Sequence, residues 1–371
     1  MQNVDAVVAC TTSPSTRALQ VCGMFDCPPS ARQEQRWHIE CPMDERPWSI
    51  GLIVGPSGSG KTTVARSLFP TELQRTIEWD DRSLIDNFPP DLSIDAVTRV
   101  LGSVGFSTIP AWVRPFSTLS NGEQFRATLA RRLMTGDATV VVDEFTSVVD
   151  RQVAKVASYA IQKTIRKTPT RFVAVSCHYD IEEWLQPDWI IEPAEQSFRW
   201  RSVRQRPPFS IEVARLPIEA WQQFSRYHYL TASLHRSAQC FGLWCNGTLA
   251  AFGGVLHRPH AANRRIKGLS RLVTLPDWQG LGLGFVLMET LGAAYKALGY
   301  TFNTYPAHPA FVRSYRLDRW QCRKQLGTIS RRCKRTKRMR SFGDRPCAVF
   351  RYVGAAMSPD HARAVLDGGK R

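Results

Sequence analysis

Short apolar runs alternate with amphipathic segments along the first half of the chain. Runs such as Ile50–Val54 have the length of buried strands. The segments between them repeat apolar residues at helical spacing, and this alternation predicts a parallel, doubly wound sheet. The predicted strands are Ala18–Phe25, Arg36–Cys41, Ile50–Val54, Ala138–Val142 and Arg171–Ser176, and the predicted helices are Thr62–Phe69, Gly122–Met134 and Arg151–Arg166.

A second alternating pattern begins at Phe209, after a basic, proline-rich stretch at 201–208 that is typical of a linker. Its predicted helices are Pro217–Tyr227 and Gly284–Leu298, and its predicted strands are Cys240–Cys245, Leu249–Leu256, Gly268–Leu275 and Cys347–Val353. We therefore expect two α/β domains. The predicted divisions are a flexible N-terminus at 1–16, a first domain at 17–195, a linker at 196–208, a second domain at 209–356 and a tail at 357–371.

The composition is that of a globular protein, since 43% of the 371 residues are hydrophobic and 22% are charged. No apolar run reaches membrane-spanning length, and the start of the sequence lacks the features of a secretory signal. These observations predict a soluble, cytoplasmic protein that does not enter a membrane. They argue against a self-contained exporter, though not against a subunit that a separate membrane protein recruits.

The net charge is +17, from 49 Lys and Arg against 32 Asp and Glu. Such an excess favours a polyanionic partner, of which nucleic acid is the commonest. Seven basic residues lie within ten positions, and we expect them to contact phosphates, although a solvated loop is the alternative. These residues are Arg331, Arg332, Lys334, Arg335, Lys337, Arg338 and Arg340.

The strand predicted at Ile50–Val54 runs into a glycine-rich loop that a helix follows. Glycines allow the backbone to turn its N–H groups towards a phosphate. Lys61 would supply a charge to the outer phosphates and the Thr62 hydroxyl would ligate Mg²⁺. The loop therefore predicts an ATP site formed by Gly55, Ser57, Gly58, Ser59, Gly60, Lys61, Thr62 and Thr63.

Further motifs follow in a fixed order. The segment Leu119–Gln124 (LSNGEQ) resembles the signature motif of the ABC ATPase superfamily. That resemblance implies a homodimer in which Ser120, Gly122 and Glu123 close over the ATP of the opposite subunit. It also implies roles for residues beyond the motif: Asp143 as a magnesium ligand, Glu144 as the residue that orients or deprotonates water, Asp150 in a second loop at the nucleotide, and His178 as the contact to the terminal phosphate.

The chain departs from ABC transporter subunits between these motifs. Only 59 positions separate Lys61 from Ser120, and no convincing glutamine for the usual loop between them is present. The shortened region is the part that docks membrane subunits in transporters. The departure therefore counts against a transport function.

The segment Leu272–Gly284 (LVTLPDWQGLGLG) resembles the acyl-CoA-binding motif of GNAT acetyltransferases. Loop amides and the start of the next helix would neutralise the pyrophosphate of coenzyme A. The preceding strand would present amides beside the thioester carbonyl. A dinucleotide-binding loop is disfavoured because no acidic residue closes a following strand. The residues predicted to bind acyl-CoA are Leu275, Gln279, Gly280, Leu281, Gly282, Leu283 and Gly284.

Acyl transfer in this family generally uses a base and an acid, and the acid is often a tyrosine. The candidates are Tyr305, His308 and Tyr315, with His228 near the expected acceptor side. Aromatic residues that line a core are the alternative. The segment Tyr227–Leu230 (YHYL) also resembles Mom-type phage enzymes, which modify DNA adenine.

Together these features predict a P-loop ABC ATPase domain followed by a mixed-sheet GNAT-fold domain, a layout similar to proteins of phages and mobile elements. The predicted function is an ATP-dependent transfer of an acyl group, from acetyl-CoA or a related acyl-CoA, to a base amine of nucleic acid. One alternative is an ATP-regulated acetyltransferase of a protein or a small amine. Another is an ABC-type nucleic-acid ATPase whose GNAT fold only binds.

Overall fold

The computed structural model describes residues 2–11, 15–26, 32–74, 77–201, 209–228, 233–258, 260, 263–307, 309–326 and 347–368. Its strands are β1 (Gln2–Thr11), β2 (Arg32–Cys41), β3 (Ile50–Val54), β4 (Thr139–Val142), β5 (Arg171–Ser176), β6 (Trp189–Glu192), β7 (Ser197–Trp200), β8 (Ile211–Leu216), β9 (Gln239–Cys245), β10 (Thr248–His257), β11 (Ile266–Thr274), β12 (Thr301–Thr304), β13 (Trp320–Lys324) and β14 (Val349–Tyr352).

The α-helices are α1 (Thr16–Met24), α2 (Lys61–Leu68), α3 (Pro70–Leu73), α4 (Ile94–Ser103), α5 (Ile109–Trp112), α6 (Asn121–Leu133), α7 (Arg151–Ile165), α8 (Ile181–Leu185), α9 (Trp221–Ser225), α10 (Leu283–Ala297), α11 (Pro309–Arg313) and α12 (Pro359–Asp367). Short 3₁₀ turns lie at Leu84–Asn87, Phe116–Thr118, Ile218–Ala220 and Pro276–Trp278. Within the described ranges, no helix is both long and apolar enough to cross a bilayer.

The chain forms two compact units, each assembled from several segments. The first unit comprises Met1–Ile77, Arg132–Asp150 and Ile161–Arg206. The second unit comprises Glu78–Arg131, Arg151–Ala160 and Pro207–Arg371. The sequence predicts one division between the domains, near 196–208. In the structure, residues 78–131 and 151–160 also belong to the same compact unit as the residues after 206.

A five-stranded sheet organises the first unit, in the order β4-β5-β3-β6-β7. β3 lies between β5 and β6, pairs in parallel with both, and is buried along its whole length. β4 pairs in parallel with β5. Parallel strands end at the same edge of a sheet, so the loops after β3, β4 and β5 share one edge. The predicted parallel sheet is confirmed, with an antiparallel strand, β7, added at one side.

The N-terminal residues differ from two expectations. Where the sequence predicts a frayed end, β1 pairs antiparallel with β2 from Gln2↔Cys41 to Thr11↔Arg32. Where it predicts a strand at Ala18–Phe25, the chain forms α1, because the Ser15 hydroxyl accepts a hydrogen bond from the Ala18 N–H at 3.3 Å and caps a helix. Alternation of apolar residues alone does not reveal such a cap.

A seven-stranded mixed sheet organises the second unit, in the order β13-β14-β12-β11-β10-β9-β8. Only β11 and β12 pair in parallel. α10 packs against this sheet through apolar residues such as Leu287 and Leu291, which are fully buried. The predicted C-terminal tail contains α12, whose Val365 and Leu366 are buried and whose Leu366 carbonyl accepts a hydrogen bond from Arg215 at 3.0 Å.

Asp188 holds together the base of the first unit's sheet. Its Oδ2 accepts hydrogen bonds from the N–H groups of Ser49 and Ile50 at 2.8 and 3.0 Å. The Arg166 guanidinium forms an ion pair with the same carboxylate at 3.1 Å, and both side chains are largely buried. Removing one partner of a buried ion pair leaves an uncompensated charge.

We expect Asp188→Ala to destabilise the first unit by about 3–5 kcal/mol, because Arg166 and two backbone N–H groups lose their acceptor. Hydrogen exchange of peptides from β3 and β5 measures this unit alone. Asp5→Ala is the control, since the exposed Asp5–His38 pair of the same unit should contribute less than about 1 kcal/mol. Equal, small effects of the two substitutions would contradict the role assigned to Asp188.

Candidate functional site

The loop after β3 has the backbone geometry that a phosphate requires. Gly58 and Gly60 have φ angles of 80° and 92°, in the left-handed region that favours glycine. A Cβ atom on Gly60 would lie 2.2 Å from the Trp37 ring, and the Trp37 Nε1–H donates to the Ser59 carbonyl at 3.0 Å. Trp37 therefore supports the loop so closely that only glycine fits at position 60.

The residues after the loop bring two charged or polar groups to its mouth. α2 begins at Lys61 without a side-chain cap, so its first N–H groups remain available to an anion. Lys61 Nζ donates to the Pro56 carbonyl across the loop at 2.8 Å. The Thr62 hydroxyl donates to Asp143 Oδ2 at 2.9 Å, which brings together the two predicted magnesium ligands.

The end of β4 carries the other acidic residue. Glu144 is exposed, has a φ of 50° and donates its N–H to Asp143 Oδ1 at 2.8 Å. A non-glycine residue in this region is strained, and such strain is concentrated at functional sites. The Phe145 N–H donates to the Val175 carbonyl of β5 at 2.8 Å, which fixes the turn. His178 follows β5 and so lies at the same sheet edge as Glu144.

These residues fit a magnesium–nucleotide complex. Thr62 and Asp143 offer the oxygen ligands that Mg²⁺ prefers, and the nucleotide phosphates would complete its coordination. Of the remaining predicted residues, Ser57 is exposed on the loop, Thr63 is half-buried in the first turn of α2, and Asp150 is exposed directly before α7.

The signature segment begins α6 in the second unit. The Ser120 N–H and hydroxyl donate to Glu123 Oε2 at 3.1 and 3.0 Å, while the Glu123 N–H faces Ser120 Oγ at 3.4 Å. This is a capping box, in which each residue satisfies the other at the helix start. The Glu123 carboxylate is buried and engaged here, so its contact with nucleotide stays a prediction, as do those of Ser120 and Gly122.

The loop before α10 resembles the phosphate loop in its backbone. Gly280 and Gly282 have φ angles of 100° and 85°. Gly282 precedes α10 without a side-chain cap, and a Cβ atom placed on it would meet nothing within 4 Å. An open loop that leads into an uncapped fifteen-residue helix fits the pyrophosphate of coenzyme A. Gly284 follows in the first turn, and Leu281 packs on the core.

Two residues predicted to bind acyl-CoA, Gln279 and Leu275, form hydrogen bonds within the protein instead, and a third, Leu283, is buried. The Gln279 Oε1 accepts the Ser107 N–H at 2.6 Å, and its Nε2 donates to Thr108 Oγ1 and the Thr274 carbonyl at 3.1 and 3.0 Å. The Leu275 N–H donates to the Ala250 carbonyl at 2.9 Å, so this amide is not available to a thioester. Leu283 is buried in the core.

β11 and β12 separate soon after they meet. They pair only from Ile266↔Thr301 to Gly268↔Asn303, after which β11 continues to Thr274. From Leu269 onward this edge of β11 has no paired strand among the residues that the structure describes. An unpaired strand edge presents backbone N–H and C=O groups, which is the arrangement that the sequence predicts beside the thioester carbonyl.

A polar cluster surrounds the point of separation; we call Arg258, Asn303, Tyr305 and Arg351 the Arg–Tyr cluster. A Cβ atom on Gly268 would lie 2.8 Å from Arg258 and 2.9 Å from Tyr305, and the Arg258 guanidinium lies 4.9 Å from the centre of the Tyr305 ring. Asn303 pairs with Gly268 on one side and with Arg351 on the other.

The Arg–Tyr cluster contains unsatisfied polar atoms. Asn303 Oδ1, Arg258 Nε and Arg351 Nε are buried without a hydrogen-bond partner in the described part of the chain. The described part of the chain holds other such atoms as well, and each requires an explanation such as an ordered water, an ion or a catalytic role. Of this cluster, sequence reasoning identified only Tyr305, because no motif marks single residues that the sheet brings together.

The other catalytic candidates have different surroundings. Tyr315 is buried, its hydroxyl lies 2.8 Å from Thr304 Oγ1, and its ring stacks on Phe350 at 4.0 Å. His228 is also buried, 5.6 Å from the Trp221 ring. Both placements favour the alternative that these residues line a core. His308 and the basic residues at 331–340 lie outside the described residues.

Comparison with known proteins identifies part of the chain. Residues 179–317 match the acetyltransferase (GNAT) family. This range includes β8–β12, α10 and the glycine loop between β11 and α10, and it also extends back over β6 and β7. The chain therefore carries a GNAT domain within a mixed α/β architecture. No curated protein matches the sequence.

Solved structures similar to this chain include two ABC proteins. One is a bacterial Atm1-family ABC exporter with ATP bound, at a TM-score of 0.34 and 17% identity, covering 45% of this chain and 34% of the exporter. The other is CbiO1 of Clostridium perfringens, part of the ABC transporter complex CbiONQ, at a TM-score of 0.34 and 15% identity, covering 44% of this chain and 78% of CbiO1. This chain thus spans about a third of the exporter's length.

We expect Lys61→Ala to weaken Mg-ATP binding about 10- to 100-fold, because the loop loses a charged hydrogen bond to phosphate. Titration with a fluorescent ATP analogue measures this change. The control is Arg66→Ala, which removes an exposed charge from the last turn of the same helix. Equal affinities of the two variants would contradict the assignment of the loop.

We expect Tyr305→Phe to lower kcat of acyl transfer by about 10²-fold or more, because the phenolic proton is lost. KM for acyl-CoA should change little, since the ring remains beside Arg258. Tyr315→Phe should keep kcat and cost about 1 kcal/mol of stability, because a buried hydrogen bond is lost. Steady-state kinetics with thermal unfolding distinguishes the two, and the reverse pattern would make Tyr315 the acid.

Proposed function

We propose that this protein is an ATP-dependent acyltransferase that transfers an acyl group from acyl-CoA, such as acetyl-CoA, to an amine of a nucleic-acid base. One observation carries the proposal. The chain contains two glycine-opened loops, at 55–60 and 279–282, and each leads into a helix without a side-chain cap. Both are therefore suited to phosphate groups, and the GNAT match supports coenzyme A at the second.

The first unit would perform ATP hydrolysis. Lys61 and the N–H groups of the loop would hold the phosphates, and Thr62 and Asp143, which lie in contact, would hold a magnesium ion. Glu144 would orient the attacking water and accept its proton, while His178 would contact the terminal phosphate. The ABC resemblance of the signature segment supports a homodimer in which Ser120 contacts the nucleotide of the other subunit.

The second unit would perform acyl transfer. Bound acyl-CoA supplies an acyl group that its thioester activates. The loop at 279–282 and the start of α10 would hold the pyrophosphate, and the edge of β11 beyond Gly268 would donate N–H groups to the carbonyl oxygen of the thioester. Tyr305 holds the proton for the departing thiolate, and His308 accepts the proton from the attacking amine.

Charge supports a nucleic-acid acceptor. The chain carries a net charge of +17, and its densest basic run, at 331–340, lies in the connection between β13 and β14. β14 also carries Arg351 of the Arg–Tyr cluster. Arginines beside the point where β11 and β12 separate suit an acceptor with phosphates on either side of its reactive base. A base within a duplex must first be flipped out, and ATP hydrolysis would drive this step.

The side chain of Gln279 is hydrogen-bonded to Ser107 and Thr108, and this favours a second candidate function. In that alternative, the GNAT domain is a non-catalytic binding module of a nucleic-acid ATPase. Calorimetry with acetyl-CoA separates the two. Saturable binding that Gly282→Asp abolishes supports the acyltransferase. Absence of binding, together with intact ATP hydrolysis, supports the binding module.

The acceptor is tested in cells and with purified protein. Mass spectrometry of nucleosides from cells that express the intact protein should show an acylated nucleoside that is absent with Lys61→Ala. Incubation with labelled acetyl-CoA and separate pools of DNA, RNA and protein identifies the acceptor class. Label in protein or in small amines alone would replace the nucleic-acid proposal with the corresponding acetyltransferase.

We expect simultaneous substitution of Arg331, Arg335 and Arg338 by Glu to abolish nucleic-acid binding, because phosphate contacts become repulsive. Fluorescence anisotropy at matched salt measures the affinity. A variant with Arg17, Arg46 and Arg66 changed to Glu carries the same net charge and is the control. Unchanged binding by the first variant, or an equal loss in both, would contradict a role for the basic run.

A further inference from the structure

We call residues 279–282 the acyl-CoA loop. This loop contacts the segment 78–131, which carries the signature motif and several short helices. Residues 105–108 of that segment approach the loop so closely that a Cβ atom on Gly105 would lie 2.4 Å from the Gln279 carbonyl oxygen. Gly105 itself has a φ of 82°. A Cβ atom on Gly280 would in turn lie 3.1 Å from the Gly105 Cα. The two backbones meet where both residues are glycine.

Hydrogen bonds fix this contact. The Ser107 N–H and the Thr108 hydroxyl engage both ends of the Gln279 carboxamide, at 2.6 and 3.1 Å. Thr108 and Gln279 are both more than nine-tenths buried. Because the third bond of Gln279 returns to Thr274, the carboxamide connects residues 107–108 to the start of the loop and to the end of β11.

Helix α7 makes a second connection. At its start, Val153 Cγ1 lies 3.5 Å from the Cβ position of the signature residue Gly122. Seven residues later, the Ala160 Cβ lies 2.8 Å from the Cβ position of Gly280. Residues seven apart lie on the same helix face, about 10 Å along the axis. One face of α7 therefore contacts both the signature motif and the acyl-CoA loop.

Hydrogen bonds also connect the residues that lie between position 105 and the signature motif. The Trp112 Nε1–H donates to the Phe106 carbonyl at 3.2 Å, and the Gln124 side chain of α6 donates to the Phe116 carbonyl at 3.1 Å. Asp95 of α4 forms an ion pair with Arg313 of α11, the helix between β12 and β13. The bonds of Trp112 and Gln124, with the chain between them, connect α6 to residues 105–108.

We propose that Ser107 and Thr108 are positioning residues for the acyl-CoA loop, and that through them and α7 the binding of ATP at the signature motif changes the affinity for acyl-CoA. The inference rests on the proposed function, since it requires both ligands. Coupling of this kind is reciprocal: acyl-CoA changes the affinity for ATP by the same factor. Acyl transfer thereby becomes dependent on the nucleotide state.

The experiment measures acetyl-CoA binding to the full chain by calorimetry, without nucleotide and with saturating Mg²⁺ and a non-hydrolysable ATP analogue. We expect the dissociation constant to differ at least about 5-fold between the two states. Thr108→Val removes the hydroxyl that Gln279 binds, and Gly105→Ala forces the two backbones apart. Both substitutions should bring the ratio of the two dissociation constants for acetyl-CoA close to one, while acetyl-CoA and the ATP analogue each still bind alone.

Two glycine substitutions serve as matched controls. Gly102→Ala lies in the same segment, with no atom nearer than 3.8 Å to the new Cβ. Gly136→Ala imposes similar backbone strain, at a φ of 77°, with nothing within 4 Å. Both should retain the ratio of the parent protein. If Gly105→Ala fails to fold, Thr108→Val decides alone, because it changes one hydroxyl to a methyl group.

The outcomes separate this inference from the proposed function. If both ligands bind and the ratio is one in the parent protein, the coupling is refuted and the acyltransferase proposal stands. If the ratio is large but unchanged in Thr108→Val and Gly105→Ala, the positioning role of residues 107 and 108 is refuted. If the protein binds neither ligand, both proposals fail together.

Discussion

A main-chain N–H group that loses its helix or strand partner must find another acceptor, and this constraint locates both candidate sites. At the starts of α2 and α10 the first N–H groups lack intrahelical acceptors and side-chain caps. The edge of β11 that faces β12 loses its neighbouring strand after Gly268, where β12 departs. Phosphate oxygens and a polarised carbonyl are suitable acceptors, so unpaired donors and ligand chemistry coincide at these places.

The sequence predicts those parts of the fold that depend on local pattern. The bounds of β3 and β5 agree with the predicted strands, because buried parallel strands are continuous apolar runs. The glycine positions of both loops show the expected left-handed conformation. The contact between Thr62 and Asp143 also follows from sequence, since the ends of neighbouring parallel strands meet at one edge.

Contacts between distant residues could not be predicted in this way. Gly105 and Gly280 approach each other across a large sequence separation, and a single glycine in a helical region has several explanations. The Arg–Tyr cluster collects residues from different strands of the second unit's sheet and its loops, none of which belongs to a motif. Tyr315 and His228 show the same limit, because the sequence beside them does not reveal that both side chains are buried.

The order in which the chain builds its two units limits how such a protein can arise. The chain passes between units after residues 77, 131, 150, 160 and 206. No single breakpoint in the gene would therefore separate the two compact units, because residues 78–131 and 151–160 of the second unit alternate along the chain with segments of the first. The two units would consequently be inherited together rather than shuffled as separate modules.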